Sequence, residues 1–200
     1  MEKKKTPTIL YAEETPNPAA MKFVADRMLI SGTSIEFTSK AQAKVSPLAV
    51  ELFNFPFVTG VFLASNFVTV NINKLVEWED ITLELRNFIS AYLNNNEFVL
   101  SEKVITEKSA IVENKEEVGE KTSAEIDIKI ANVLEEYIRP AVEQDGGAIA
   151  FKSFKNGTVT VQLQGSCSGC PSSTITLKAG IESILKRLIP EVNEVVAEAV

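Results

Sequence analysis

Histidine is absent from this chain of 200 residues, and cysteine occurs only twice. The first absence removes the commonest general base and nitrogen ligand, so no Ser-His or Cys-His pairing can be built. The second excludes a disulfide framework. Together they leave one chain unable to complete a soft-metal site of four sulfur or nitrogen ligands. Positive charge is also short: 20 Lys and Arg against 27 Asp and Glu give a net charge of -7. Nucleic-acid binding rests on clustered cations that release counterions from phosphate, so no DNA or RNA partner is expected. No apolar run approaches the roughly 20 residues of a membrane-spanning helix, so no membrane partner is expected either. The basic start, Met1 to Pro7, lacks both the apolar stretch of a signal peptide and the arginines of an organelle presequence. Two thiols at short spacing then fit a reducing compartment, and a cytoplasmic location is expected.

What is present is a hydrophobic content of 45%, enough to bury a core in one large domain or two small ones. Composition divides the chain into an aromatic-rich region over residues 1–98, an aromatic-poor charged stretch over 99–124, and an amphipathic region over 125–200. The reading is α+β: two small α+β domains joined by a charged flexible linker. In the first domain, Thr15-Pro16-Asn17-Pro18 is a turn between two extended runs. Val58 to Leu63 and Phe67 to Asn71 make a hairpin, followed by a helix with Ile81, Leu85, Phe88 and Tyr92 on one face. In the last domain Ile126, Ile130, Val133 and Tyr137 form a helical stripe, restarted at Pro140 and broken by Asp145-Gly146-Gly147. Ala148 to Phe154 and Thr158 to Gln164 pair across Asn156-Gly157, a type I′ signal. A final helix carries Leu177, Ile181, Ile184 and Leu188 on one face, and Val192 to Val200 adds a short strand.

Both cysteines sit in Ser166-Cys167-Ser168-Gly169-Cys170-Pro171, in the loop between the second hairpin strand and the final helix. Pro171 suits a first helical position. The helix N-terminus lowers thiol pKa and favours thiolate, the metal-binding form. Gly165 and Gly169 let the backbone wrap close to a bound centre, and the small Ser166 and Ser168 are expected to leave the sulfurs uncovered. Three chemistries share this spacing. Cys167 and Cys170 from two protomers can bridge an iron–sulfur cluster or another soft metal; the pair can act as a dithiol oxidoreductase; or two pairs can hold a structural zinc. Two reduced thiols without function are disfavoured by the flanking Gly, Ser and Pro. A thioredoxin-like enzyme places its CxxC after the first strand of a βαβ unit, whereas a hairpin precedes it here, which weakens the oxidoreductase reading. A cluster shared at a dimer edge is exposed and easily released, which suits delivery.

At these residues the chain resembles the NifU-like iron–sulfur scaffold and carrier proteins of the type with an added N-terminal domain. The resemblance runs through Tyr137-Ile138-Arg139-Pro140, Asp145-Gly146-Gly147, Gly165 to Ser173, Thr176-Leu177, Gly180-Ile181-Glu182 and Pro190-Glu191-Val192. In the first domain it runs through Thr15 to Pro18, Lys22-Phe23, Ser46 to Ala49, Leu52-Phe53, Gly60-Val61 and Phe67 to Val70. It implies that Cys167 and Cys170 ligate a [4Fe-4S] cluster, with [2Fe-2S] the other form, at a homodimer interface. It implies an upstream cluster donor and apo-protein recipients as partners. The cysteine-rich scaffold and ferredoxin-type segments of the nitrogen-fixation NifU are missing, which makes carrier a better description than assembler.

Other residues have plainer readings. Asp145-Gly146-Gly147 is a tight turn needing positive φ at glycine, Arg139 a helix-end charge, and Trp78, Tyr92, Phe53, Phe55 and Phe57 are core aromatics before they are docking residues. The N-terminal region holds no catalytic constellation, so a non-enzymatic role is expected, with that domain recognising targets.

Overall fold

Two hydrophobic cores form, each from its own stretch of chain. The computed structural model describes residues 7–96, 98–101, 121–168 and 171–199, and divides into the units Met1–Asn114 and Lys115–Val200. Each is α+β, as expected. Most of the charged stretch read as a linker, residues 102–120, lies outside the described residues.

The first unit is a five-stranded sheet in the order β1-β2-β5-β4-β3 with helices packed on it. Its strands are β1 (Leu10–Glu14), β2 (Ala20–Ala25), β3 (Ile35–Phe37), β4 (Val58–Ala64) and β5 (Phe67–Ile72). The Thr15 to Pro18 turn joins β1 to β2 in antiparallel register, and Thr15 Oγ1 caps it by donating to a backbone carbonyl 3.0 Å away and accepting the Asn17 N–H at 3.2 Å. β4 and β5 form the expected hairpin. Helix α1 (Pro47–Leu52) starts at Ser46, whose Oγ accepts the Ala49 N–H and donates to the Val99 carbonyl. The packing of this unit therefore runs past residue 98: Val99 is buried, and the Ser101 N–H bonds the Val45 carbonyl.

Helix α2 (Trp78–Asn95) buries Ile81, Leu85, Ile89 and Tyr92. Phe88, placed on that stripe by spacing, is only half-buried and packs edge-on against Phe55. Trp78 Nε1–H donates to the Pro18 carbonyl at 2.9 Å and ties the start of α2 to the β1–β2 turn.

The second unit begins with α3 (Lys121–Val133), a π-helical turn at Leu134–Ile138, and α4 (Arg139–Gln144). The π-turn corrects the expected stripe. Tyr137 is half-exposed, and the buried positions are Ile130, Leu134, Ile138 and Val142, spaced by four. A regular helix of 3.6 residues per turn drifts about 40° at each four-residue step. One wider turn absorbs that drift and keeps the stripe on the core. Pro140, lacking an N–H, sits at the first turn of α4, where no donor is needed.

β6 (Gly147–Lys155) and β7 (Thr158–Gly165) pair antiparallel, and Asn156 and Gly157 both have positive φ, as the two-residue turn requires. In β7, Val159, Val161 and Leu163 are buried and alternate with half-buried polar residues. Helix α5 (Pro171–Leu188) crosses over to β8 (Glu194–Ala199), which lies parallel to β7. Its core face is Leu177, Ile181, Ile184 and Leu185, continued by Ile189 just beyond the helix. Leu188, expected there, is exposed. Glu182 fastens this layer: it accepts the Val195 N–H at 3.1 Å and pairs with Lys186 at 2.5 Å. The bond from Lys186, then that from Val195, hold its carboxyl below the usual glutamate range.

Candidate functional site

After β7 the chain makes a 3₁₀ turn, Ser166–Ser168, ahead of α5. Gly165 ends the strand with φ 67° and turns the chain. Three hydrogen bonds fix the turn. The Ser166 N–H donates to the Gly146 carbonyl at 3.3 Å, Ser166 Oγ donates to the Asp145 carbonyl, and Ser168 Oγ donates to the Gly165 carbonyl at 2.8 Å. The Asp145-Gly146-Gly147 turn and the cysteine turn thus lie against one another, at adjoining ends of β6 and β7.

Cys167 is buried, with 5% of its surface exposed. The expectation that small flanking serines leave this sulfur uncovered is corrected: Ser166 is itself buried, turned inward by its bond to Asp145, and Cys167 packs with the apolar core. Ser166 Oγ lies 3.8 Å from Cys167 Sγ. Because its own proton is directed at Asp145, that oxygen is placed to accept from the thiol. Cys170 and Gly169 lie outside the described residues, so the distance between the two sulfurs is not assigned. Among the described residues no group of three or more Cys, Asp or Glu is arranged to hold a metal ion.

Gly147 belongs to this site and was hidden in the sequence. A Cβ at Gly147 would fall 2.7 Å from Cys167 Sγ and 2.6 Å from the Gln164 carbonyl oxygen. Gly146 supplies the positive φ of the turn, at 80°; Gly147 supplies the room in which the sulfur sits. The turn reading of Asp145-Gly146-Gly147 is right for the first glycine and incomplete for the second. Two adjacent glycines where the turn needs one was the available signal.

Comparison with known proteins falls on the same two units. Residues 10–96 match the model described as scaffold protein Nfu/NifU N terminal, and residues 130–196 match the NifU-like domain. A Homo sapiens protein named NFU1 iron-sulfur cluster scaffold homolog, mitochondrial, is 35% identical over 93% of this chain and 70% of its own length. The chain belongs to the NifU-like Nfu family. A Schizosaccharomyces pombe NifU-like protein is 37% identical over 94% of this chain and 71% of its own. The Drosophila willistoni protein bearing the same name as the human one is 36% identical over 93% of this chain, which spans 62% of that relative's length.

The remaining residues singled out in this Nfu chain take structural places. Arg139 pairs with Glu135 at 2.9 Å on the helix surface. Phe55 contacts Phe57 and Phe88, and Phe53, Phe55 and Phe57 are half-buried against the first core. Tyr92 is buried, and burial, then the charge of Glu51, push its phenol above the ordinary tyrosine range. Trp78 hydrogen-bonds the turn at Pro18.

Proposed function

We propose that this chain carries a [4Fe-4S] cluster as cargo, held between two copies through Cys167 and Cys170 of each, and delivers it to apo-proteins. The observation that carries the reading is the short ligand set: two cysteines and no histidine in the chain, with Cys167 held in a hydrogen-bonded turn between β7 and α5. Four thiolates around one cluster require a second copy. The scaffold names of the human and fly relatives support the iron–sulfur chemistry. Delivery replaces each iron–thiolate bond with one to a recipient cysteine, and no electron changes hands. The first unit, with its own core, is assigned to recognition of recipients. Two closely spaced cysteines, a poor disulfide framework for a secreted protein, are the support for a cytoplasmic setting. The mitochondrial names of the relatives point to another reducing compartment, and imaging of the tagged protein in its own cell decides between them.

Anaerobic reconstitution with ferrous iron and sulfide tests the reading, with visible spectrum, iron content and solution mass taken on one sample. A brown dimer with about four iron atoms per two chains is expected, and Cys167→Ser or Cys170→Ser should lose stable loading. A single variant that keeps a full, stable cluster refutes the ligand set. A colourless monomer that cycles between dithiol and disulfide makes dithiol oxidoreductase chemistry the better account.

A further inference from the structure

The sulfur that a shared cluster needs at the surface lies inside. Cys167 belongs to the same buried cluster as Val142, Ile149, Leu163 and Ile181. A metal–thiolate bond is about 2.3 Å long, so an iron shared with a second chain is reached only by a sulfur that stands clear of its own chain's core. The neighbouring residue ties the thiol where it is. Ser166 is buried; its Oγ donates to the Asp145 carbonyl and lies 3.8 Å from Cys167 Sγ. Its N–H donates to the Gly146 carbonyl at 3.3 Å. Both bonds fasten the cysteine turn to residues some twenty positions upstream, and the sulfur then occupies the space that the missing side chain of Gly147 leaves, where a Cβ would stand 2.7 Å from it. The Ser168 bond closes on Gly165 within the same short stretch of chain. Ser166 is thus a side-chain link between the turn and the sheet end that encloses the thiol.

We propose that Ser166 is a positioning residue that gates the loading of Cys167: its bond to the Asp145 carbonyl holds the thiol in a closed, buried state, and iron binds through an open state in which that bond is broken and the sulfur has left the space over Gly147. This rests on the proposed two-chain site and adds its regulation. The opening is confined to the Ser166–Ser168 turn, while the β6–β7 ladder and the core stay intact. Local openings of this kind cost far less than unfolding a whole unit. In the open state the sulfur binds iron and its proton passes to solvent, with no electron exchanged. The closed state also screens the empty ligand, since buried cysteines are inert and exposed ones reactive. One hydroxyl therefore sets both how fast the apo-protein takes up iron and how well its thiol is protected beforehand.

The test uses the full-length protein carrying Cys170→Ser, in which Cys167 is the sole thiol, and follows alkylation by iodoacetamide with no iron present. This background should react about tenfold or more slowly than the same chain unfolded in urea. Adding Ser166→Ala should raise the rate several-fold, up to about tenfold, the factor that loss of one net hydrogen bond gives. Ile189→Val, at a buried position just past the far end of α5, removes a comparable amount of stability from the same unit without touching the turn, and should leave the rate unchanged. With Cys170 restored, anaerobic loading with ferrous iron and sulfide should start faster in Ser166→Ala than in the parent and reach the same iron content. A Ser166→Ala thiol no faster than the background overturns the inference, as does a background thiol already as reactive as in the unfolded chain. Equal acceleration by Ile189→Val overturns it too, because unfolding of the unit would then be what uncovers Cys167. So does an unchanged initial rate of loading. These results leave the two-chain ligand set standing; that reading falls instead if a Cys167→Ser protein loads a full, stable cluster.

Discussion

Replacing Gly147 with alanine adds one methyl group at the most crowded point of the candidate site. The new Cβ would stand 2.7 Å from Cys167 Sγ, 3.2 Å from Cys167 Cβ and 2.6 Å from the Gln164 carbonyl oxygen. Ordinary carbon contacts are about 3.5–4.0 Å, so something has to move by roughly 1 Å. Gln164 belongs to the backbone of β7 and is paired with Ala148 of β6, so the carbonyl yields only by bending the ladder. Cys167 is the softer neighbour, yet it is held by the Ser166 and Ser168 bonds on either side. Overpacking of this kind costs about 1–3 kcal/mol. In a domain of about 60–100 residues that lowers the melting midpoint by roughly 4–8 °C for each kcal/mol. The cores are separate, and the single tryptophan, Trp78, lies in the first unit. The assay therefore pairs calorimetry, in which the second unit's transition should fall, with Trp78 fluorescence, in which the first unit's should stay. Iron loading after reconstitution should drop with it, because the displaced group is a candidate ligand. A Gly147→Ala protein with parental calorimetry and full loading would refute the claim that this glycine makes room for the sulfur.

Gly180 is the converse case: it lies inside α5 with nothing within 4 Å of an added Cβ, so Gly180→Ala should stabilise the second unit by about 0.5–1 kcal/mol in thermal unfolding. The π-turn predicts opposite outcomes at adjacent residues. Ile138→Ala should cost about 2–5 kcal/mol in denaturant unfolding, while the half-exposed Tyr137 tolerates alanine within about 0.5 kcal/mol; equal costs would return the stripe to regular helical spacing. Glu182 sets a pH dependence. Its carboxyl is held low by Lys186 and the Val195 N–H, so its contribution is present above the ordinary glutamate value of about 4.3 and is lost as pH falls through the depressed native value. The protection of the Val195 amide, its exchange rate measured against the intrinsic rate at the same pH, should therefore fall on acidification, and Glu182→Gln should flatten that dependence.

How far the sequence discloses this molecule depends on whether the relevant contact is local. Asn156-Gly157 between alternating runs specifies its hairpin because the turn's two positive φ angles and the strands' period of two are both properties of adjacent residues. The cysteine turn is legible for the same reason: strand end, small residues, two thiols and a helix-starting proline follow one another directly. The burial of Cys167 is not, since what covers it comes from Asp145, Gly146 and Gly147, some twenty residues upstream and brought alongside only by strand pairing. Small neighbours in sequence suggested an open sulfur, and tertiary packing enclosed it. The helical stripe fails differently. Ile126, Ile130, Leu134, Ile138 and Val142 recur at a strict interval of four, and over four steps a regular helix would carry them about 160° around its axis. A reading tied to 3.6 residues per turn leaves this series at Val133 and Tyr137. Following the unbroken interval instead requires a helix that widens along its length, and the π-turn at Leu134–Ile138 is where it does so. The departure from regular geometry was thus encoded in the spacing itself, and it keeps Ile138 and Val142 in the core just ahead of the Asp145-Gly146-Gly147 turn that receives the cysteine.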